Sequence, residues 1–351
     1  MRFHGGRSKV ALDFSVNTNP LGPPKYVEGL IRECVDGGVL LKYPDYEYVD
    51  LRNGIAKFYG CNPNNIIVTN GANEALNLVI TTLRKDLVVI EPSYGEYEDI
   101  ANSLGVRYDY VLYKVRNDDF YLDLEVLDRF NNNNDRIIVI TNPNNPTGNY
   151  LSRSVLFNHI QDFKPIFLID ESYVELCDVC PYEIPQDIPE NVVIVRSITK
   201  YTSLPGLRLG FLYSSNEELI KRLNIVRQAW NVNSLAECVF TKVFTSTDLL
   251  KEFISRSRHY ISSERSKLVG RLRDLGLKVF NSVVNFLLIN LGFNSEKVIK
   301  ELELRGISVR WCWSFRGLGK DYIRISIRNR EDNEVLIKNL TQIINGLKHE
   351  Y

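Results

Sequence analysis

Short runs of β-branched and apolar residues alternate with amphipathic stretches through the middle of this chain. The runs predict strands at residues 66–69, 87–90, 137–141, 166–170, 192–195 and 209–213. Apolar positions spaced by three and four predict helices at 73–83, 94–104, 122–130 and 152–161. Strands apolar on both faces, with helices between them, imply a mainly parallel sheet covered on both sides. From about residue 217 the pattern changes to long helices, to about 228 and then over 235–275. Strands at 285–290, 308–311 and 322–327, a helix near 295–305 and a last helix from Arg330 follow. The expected architecture is α/β, with a large domain over 41–235 and a smaller α+β domain over 236–351. Residues 1–40 read as an extended Pro/Gly-rich segment packing on the smaller domain.

Composition narrows the function classes. Forty-three basic residues balance forty-three acidic ones, which gives no reason to expect nucleic acid or an anionic membrane as partner. No apolar run is long enough to span a bilayer and the first residues carry no secretory-type segment, so a cytoplasmic location is expected. Six cysteines form no dense framework, and the one close pair, Cys177 and Cys180, lacks the further ligands zinc would need. No metal site and reduced, mostly buried thiols are the expectation.

Chemistry-bearing residues gather just past the predicted strand ends, where open parallel sheets place ligands. Gly71-Ala72-Asn73 opens a helix, whose free N–H groups attract phosphate. Tyr94 offers a ring that could stack on a flat heterocycle. Asn142 to Gly148 packs two Asn-Pro steps into one loop and invites a cis peptide. Asp170 ends a buried strand and needs a partner there, which a protonated pyridine nitrogen would supply. Ser197, Thr199, Lys200 and Arg208 follow the next strand, an amine among hydroxyls and a guanidinium. That grouping suits an imine to an aldehyde cofactor that carries a phosphate.

In order and spacing, these elements resemble the fold-type-I pyridoxal-phosphate enzymes of the aminotransferase class I/II superfamily, over nearly the whole chain. The resemblance implies pyridoxal 5'-phosphate as cofactor, with Lys200 as the lysine that bonds its aldehyde and shuttles the proton at the substrate Cα. It implies Asp170 as partner of the ring nitrogen, Asn145 and Tyr173 at the ring's phenolic oxygen, and Tyr94 stacked on the ring. Gly71, Ala72, Asn73, Ser197, Thr199 and Arg208 would cradle the phosphate. Tyr43 would reach the cofactor phosphate of a neighbouring subunit, so a homodimer with shared sites is implied. Arg324 would fork onto the substrate carboxylate.

The two ends of the chain narrow the resemblance. His4-Gly5-Gly6 with Asn17-x-Asn19-Pro20-Leu21-Gly22-Pro23-Pro24, and Ser314-Phe315-Arg316-Gly317-Leu318-Gly319, resemble the histidinol-phosphate aminotransferase branch, and within it the threonine-phosphate decarboxylases of cobalamin biosynthesis. This implies a phosphorylated amino acid as substrate, with Asn19, Leu21 and Gly22 near it and Arg316, Arg310 and His4 as candidates for its second anion. Trp311 departs from that pattern, standing where the decarboxylases commonly carry an aspartate. Two reactions stay open: decarboxylation of L-threonine O-3-phosphate, and transamination of histidinol phosphate or another amino acid. A non-enzymatic cofactor-binding regulator is the third reading, and the chain has no DNA-binding extension or basic arm to support it.

Overall fold

The apolar runs assemble into one seven-stranded sheet, in the order Ile66–Thr69, Gly210–Tyr213, Val192–Ser197, Ile166–Asp170, Arg136–Thr141, Asp86–Glu91 and Tyr108–Leu112. This is a computed structural model, and it describes residues 5, 6 and 10–348, without the side chain of Lys348. Gly210–Tyr213 runs antiparallel to both neighbours, and the remaining strands run parallel to one another. Alternate residues of the central strands enter two different cores. Ile138, Ile140, Phe167 and Ile169 face one side, and Ile137, Val139, Leu168 and Val193 face the other. A strand with period two and both faces buried must be apolar throughout, which is why these runs read so clearly.

Helices Ala72–Leu83, Glu96–Leu104 and Glu217–Val226 cover the second face. Val49–Tyr59, Arg153–Ile160, Ser234–Thr245 and the long Thr247–Asp274 pack into the first core. A separate antiparallel sheet orders Lys278–Val279, Phe286–Asn290, Tyr322–Ser326 and Arg310–Trp311. Leu12–Asp13 pairs in parallel with Ile307–Ser308.

Several expectations are corrected. The first forty residues are not extended throughout: Val27–Asp36 is a helix, with Val27, Leu30, Ile31 and Cys34 on one stripe against the core. Helix Val49–Tyr59 and the edge strand Tyr108–Leu112 were not anticipated, and residues 124–130 form a 3₁₀ turn where an α-helix was expected. Helix Ser234–Thr245 straddles the expected division at 235/236 and packs on Val49–Tyr59, under the large sheet. The thiols are also not all reduced. Cys34 bridges Cys238 and Cys177 bridges Cys180, with Cα separations of 6.1 and 5.4 Å that suit a disulfide, while Cys61 and Cys312 are free. A pair 204 residues apart leaves no spacing signal, since only the packing of two helices brings it together. Among the described residues no helix is long and apolar enough to cross a membrane.

Candidate active site

Parallel register brings the chemistry to one edge of the large sheet. Thr141 lies opposite Asp170, and Asp170 opposite Val195, two residues before Ser197. The chain then turns into the short helix Ile198–Thr202, which carries Lys200. The Lys200 carbonyl accepts from the Asn19 N–H at 3.0 Å, and its Nζ stands 5.7 Å from the centre of the Tyr173 ring. Asp170 is buried. Its Oδ1 accepts from the Ser172 N–H at 3.0 Å and the Ser172 hydroxyl at 2.6 Å, and its Oδ2 accepts from the Tyr97 hydroxyl at 2.8 Å. Burial holds the Asp170 pKa above its ordinary value, and those donors and Lys200 offset only part of that rise.

A second group forms beside the start of helix Ala72–Leu83. Gly71 adopts φ +75°, and a Cβ there would stand 2.6 Å from Arg208 Nη2. A Cβ on Gly210 would stand 2.6 Å from the Ala72 nitrogen. Both glycines therefore let a guanidinium and the next strand approach the helix N-terminus closely. The Ser197 and Thr199 hydroxyls lie 2.9 Å apart, and the buried Asn73 Oδ1 has no hydrogen-bond partner. Helix N–H groups, an arginine and two hydroxyls fit a phosphate, and a desolvated carboxylate on the next strand fits a protonated ring nitrogen. These residues fit pyridoxal 5'-phosphate.

Facing this edge is a cavity of about 590 Å³ lined by Tyr94, Asn145, Tyr173, Lys200, Arg310, Arg316 and Arg324, among others. Arg324 is buried; it donates through Nη1 to Asn145 Oδ1 and through Nη2 to the Ser15 carbonyl at 2.7 Å. Burial lowers its pKa. Arg310 lies directly opposite Arg324 across paired strands and is 6% exposed, so it is no surface charge. It donates to the Trp311 carbonyl at 2.7 Å and Ser314 Oγ at 2.8 Å. Arg316 sits at the rim, paired with Glu98 at 2.6 Å and stacked on Tyr110 at 4.7 Å.

Other expected residues are placed differently. The Asn19 side chain is spent on the strap that crosses Lys200: it donates to the Tyr201 carbonyl and Ser257 Oγ and accepts from the Leu21 N–H. Leu21 lines another groove, with Arg256 and His259, and Gly22 makes the turn at φ +70°. None of the three is among the residues lining the cavity that holds Lys200. Tyr43 is 79% exposed, with its ring tilted against Trp230 at 4.7 Å, outside the residues lining the cavity. His4 lies outside the described residues. Both Asn-Pro steps of the amide loop are cis, as is Glu91-Pro92. Sequence reasoning missed Tyr97 and Glu98. Tyr97 follows Tyr94 by one helical turn, and that spacing was the available signal.

The chain matches the family described as aminotransferase class I and II over residues 9–340. It is 32% identical to the adenosylcobalamin biosynthesis bifunctional protein CobDQ of Leptospira interrogans, over 98% of this chain and 40% of that longer protein. It is 31% identical to a histidinol-phosphate aminotransferase of Ruminiclostridium cellulolyticum, covering 95% of this chain and 92% of the other. Among solved structures, the histidinol-phosphate aminotransferase of Clostridium acetobutylicum superposes with a TM-score of 0.84 at 28% identity, over 95% and 99% of the two chains. The L-threonine-O-3-phosphate decarboxylase of Porphyromonas gingivalis does so at 0.82 and 25%, with the same coverage. Together with the cradle and the buried carboxylate, these matches make the chain a member of the aminotransferase class I and II family of pyridoxal-phosphate-dependent enzymes.

Proposed function

We propose that this protein decarboxylates L-threonine O-3-phosphate to (R)-1-amino-2-propanol O-2-phosphate. The observation that carries the reading is the pair Arg310 and Arg324, opposite one another on adjacent strands, both buried, lining one cavity with Lys200. Two fixed guanidiniums suit a small ligand with two anionic groups, here a carboxylate and a phosphate. Arg316 at the rim adds a third cation, which Glu98 would yield to an arriving phosphate.

In this reading Gly71, Ala72, Asn73, Ser197, Thr199 and Arg208 hold the cofactor phosphate. Asp170 would pair with the ring nitrogen, Tyr94 would hold the ring, and Asn145 and Tyr173 would bond its phenolic oxygen. When bound, pyridoxal phosphate would supply an electron sink for the bond that breaks at Cα. The protein does the rest. Arg324 grips the carboxylate until it leaves as CO₂, and Lys200, as its ammonium form, delivers the proton that replaces it at Cα. Asn17, whose Nδ2 lies 3.4 Å from the Tyr173 hydroxyl, and Asn19, tied to Tyr201, hold the strap across this edge of the sheet.

Leu40, Leu41, Tyr43, Ile225 and Trp230 are exposed apolar residues that in this reading form one face. Two copies pair through it, and Tyr43 reaches the cofactor phosphate of the other copy. Equal similarity to histidinol-phosphate aminotransferases favours a second reading, transamination on the same residues. Purified enzyme is given phosphothreonine, or histidinol phosphate with 2-oxoglutarate, and CO₂ and keto product are followed together. CO₂ from phosphothreonine supports decarboxylation; amino transfer without CO₂ overturns it.

A further inference from the structure

Asp170 is the end of a line of buried hydroxyls. Its Oδ2 accepts from Tyr97 at 2.8 Å, the Tyr97 oxygen lies 3.0 Å from Thr141 Oγ1, and Thr141 Oγ1 lies 2.8 Å from Ser93 Oγ. All three residues are at most 2% exposed. The direction of every proton in this line follows by elimination. When Asp170 is ionised it only accepts, so the single Tyr97 proton is then committed to it. The Tyr97 oxygen can then only accept from Thr141, and Thr141 in turn only from Ser93. The protons all point one way, toward Asp170, and such chains strengthen each bond along them. The far end is fixed as well. The Ser93 N–H donates to Glu91 Oε2, and the Tyr108 hydroxyl donates to Glu91 Oε1 at 2.5 Å.

With Ser172 giving two hydrogen bonds to Oδ1, both oxygens of Asp170 receive donors. The charged form gains from each of them, and the neutral form loses. Burial works in the opposite direction. A core tyrosine that merely finds a partner for its hydroxyl would need no Thr141 and Ser93 behind it in series, and no carboxylate that must stay charged in front.

We propose that Tyr97 is a positioning residue for the reaction: with Thr141 and Ser93 behind it, it holds Asp170 ionised and aimed at the cofactor's ring nitrogen. This rests on the assignment of Asp170 given under Proposed function and is independent of which substrate is used.

The test compares two cofactors on the full-length apoenzyme. One is pyridoxal phosphate; the other is its 1-deaza analogue, in which C–H replaces the ring nitrogen. Affinities are measured by calorimetry for wild type, Tyr97→Phe, Thr141→Val and Asp170→Asn, with circular dichroism melts confirming that each apoenzyme is folded. A hydrogen bond to a charged group is worth enough that Tyr97→Phe weakens pyridoxal phosphate roughly tenfold. The same change alters binding of the deaza analogue by less than about twofold, because no ring nitrogen is left for Asp170 to hold. Thr141→Val shows the same preference to a smaller degree, and Tyr97→Phe adds nothing on top of Asp170→Asn. Equal weakening of both cofactors by Tyr97→Phe makes the tyrosine a packing residue and overturns the proposal. If Asp170→Asn itself treats the two cofactors alike, the assignment of Asp170 falls, and the proposal falls with it.

Discussion

Glu91 is a buried carboxyl whose titration falls in the neutral range, and replacing it with glutamine is predicted to remove a pH dependence from folding. The group is 3% exposed, and burial pushes its pKa up from 4.5 to about 7. The Tyr108 hydroxyl, the Ser93 N–H and Arg316 pull it down, and Glu98 raises it further. The folded protein therefore holds this proton more tightly than the unfolded chain does. Between about pH 4.5 and about 7 the folded state carries more protons, so stability falls as pH rises through that window. The contribution is complete below about pH 4.5 and gone above about 7. A gap of about 2.5 pH units at about 1.4 kcal/mol each gives about 3.5 kcal/mol in full, of which about 3 kcal/mol is lost between pH 4.5 and 8. Glu91→Gln keeps the volume and an acceptor but cannot ionise. Urea unfolding of both proteins, at one protein concentration and saturating cofactor, should show wild type losing about 3 kcal/mol relative to the variant from pH 4.5 to 8. Every other titrating group cancels in that difference. A difference that stays constant across the window would mean that the carboxyl is hydrated, and the burial argument would be wrong.

Three further outcomes are expected. Lys200→Ala abolishes the covalent attachment of cofactor trapped by borohydride and lowers kcat about 10³-fold; mass spectrometry of the reduced protein and steady-state rates check this. Arg324→Lys keeps the charge but loses the planar fork, raising KM for an amino-acid substrate about tenfold or more, read from initial rates. Thiol titration of the denatured, unreduced protein finds two reactive thiols, Cys61 and Cys312, and all six after reduction.

The strands of the large sheet were legible because burial on both faces leaves nothing but apolar residues in them, so 66–69 and 166–170 coincide with the observed elements. Helix Val49–Tyr59 was missed although Leu51, Ile55, Phe58 and Tyr59 keep the helical spacing, because Gly54 in the middle of the run reads as a breaker. Gly54 is there for a packing reason that sequence does not reveal: a Cβ would stand 2.8 Å from the Cβ of Phe244. In the site, the residues found early were those at strand ends, where position in sequence nearly fixes position in space. Those that escaped, Glu98 and Tyr97, act across elements distant in sequence. Arg310 is one of three candidates for the second anion in the sequence, and only its cross-strand pairing with Arg324 reveals its burial.

That pairing bears directly on which reaction runs. Arg324 is braced by Asn145 and the Ser15 carbonyl, and Arg310 by the Trp311 carbonyl and Ser314. Two braced cations on one wall fix two anions of a ligand at one spacing, and so fix how the substituents at Cα are turned. Histidinol phosphate carries a phosphate but no carboxylate, and would bring an anion to only one of the two guanidiniums; phosphothreonine supplies one for each. The prediction is a selective loss. Arg310→Gln should weaken phosphothreonine by about tenfold to a hundredfold, the loss of a charge-assisted contact. Inhibition by threonine, which lacks the phosphate, should change by less than about twofold. Inhibition constants for both ligands against both proteins decide it. If threonine loses as much as phosphothreonine, Arg310 shapes the cavity and does not read the second anion, and the case for a phosphorylated substrate loses its main support.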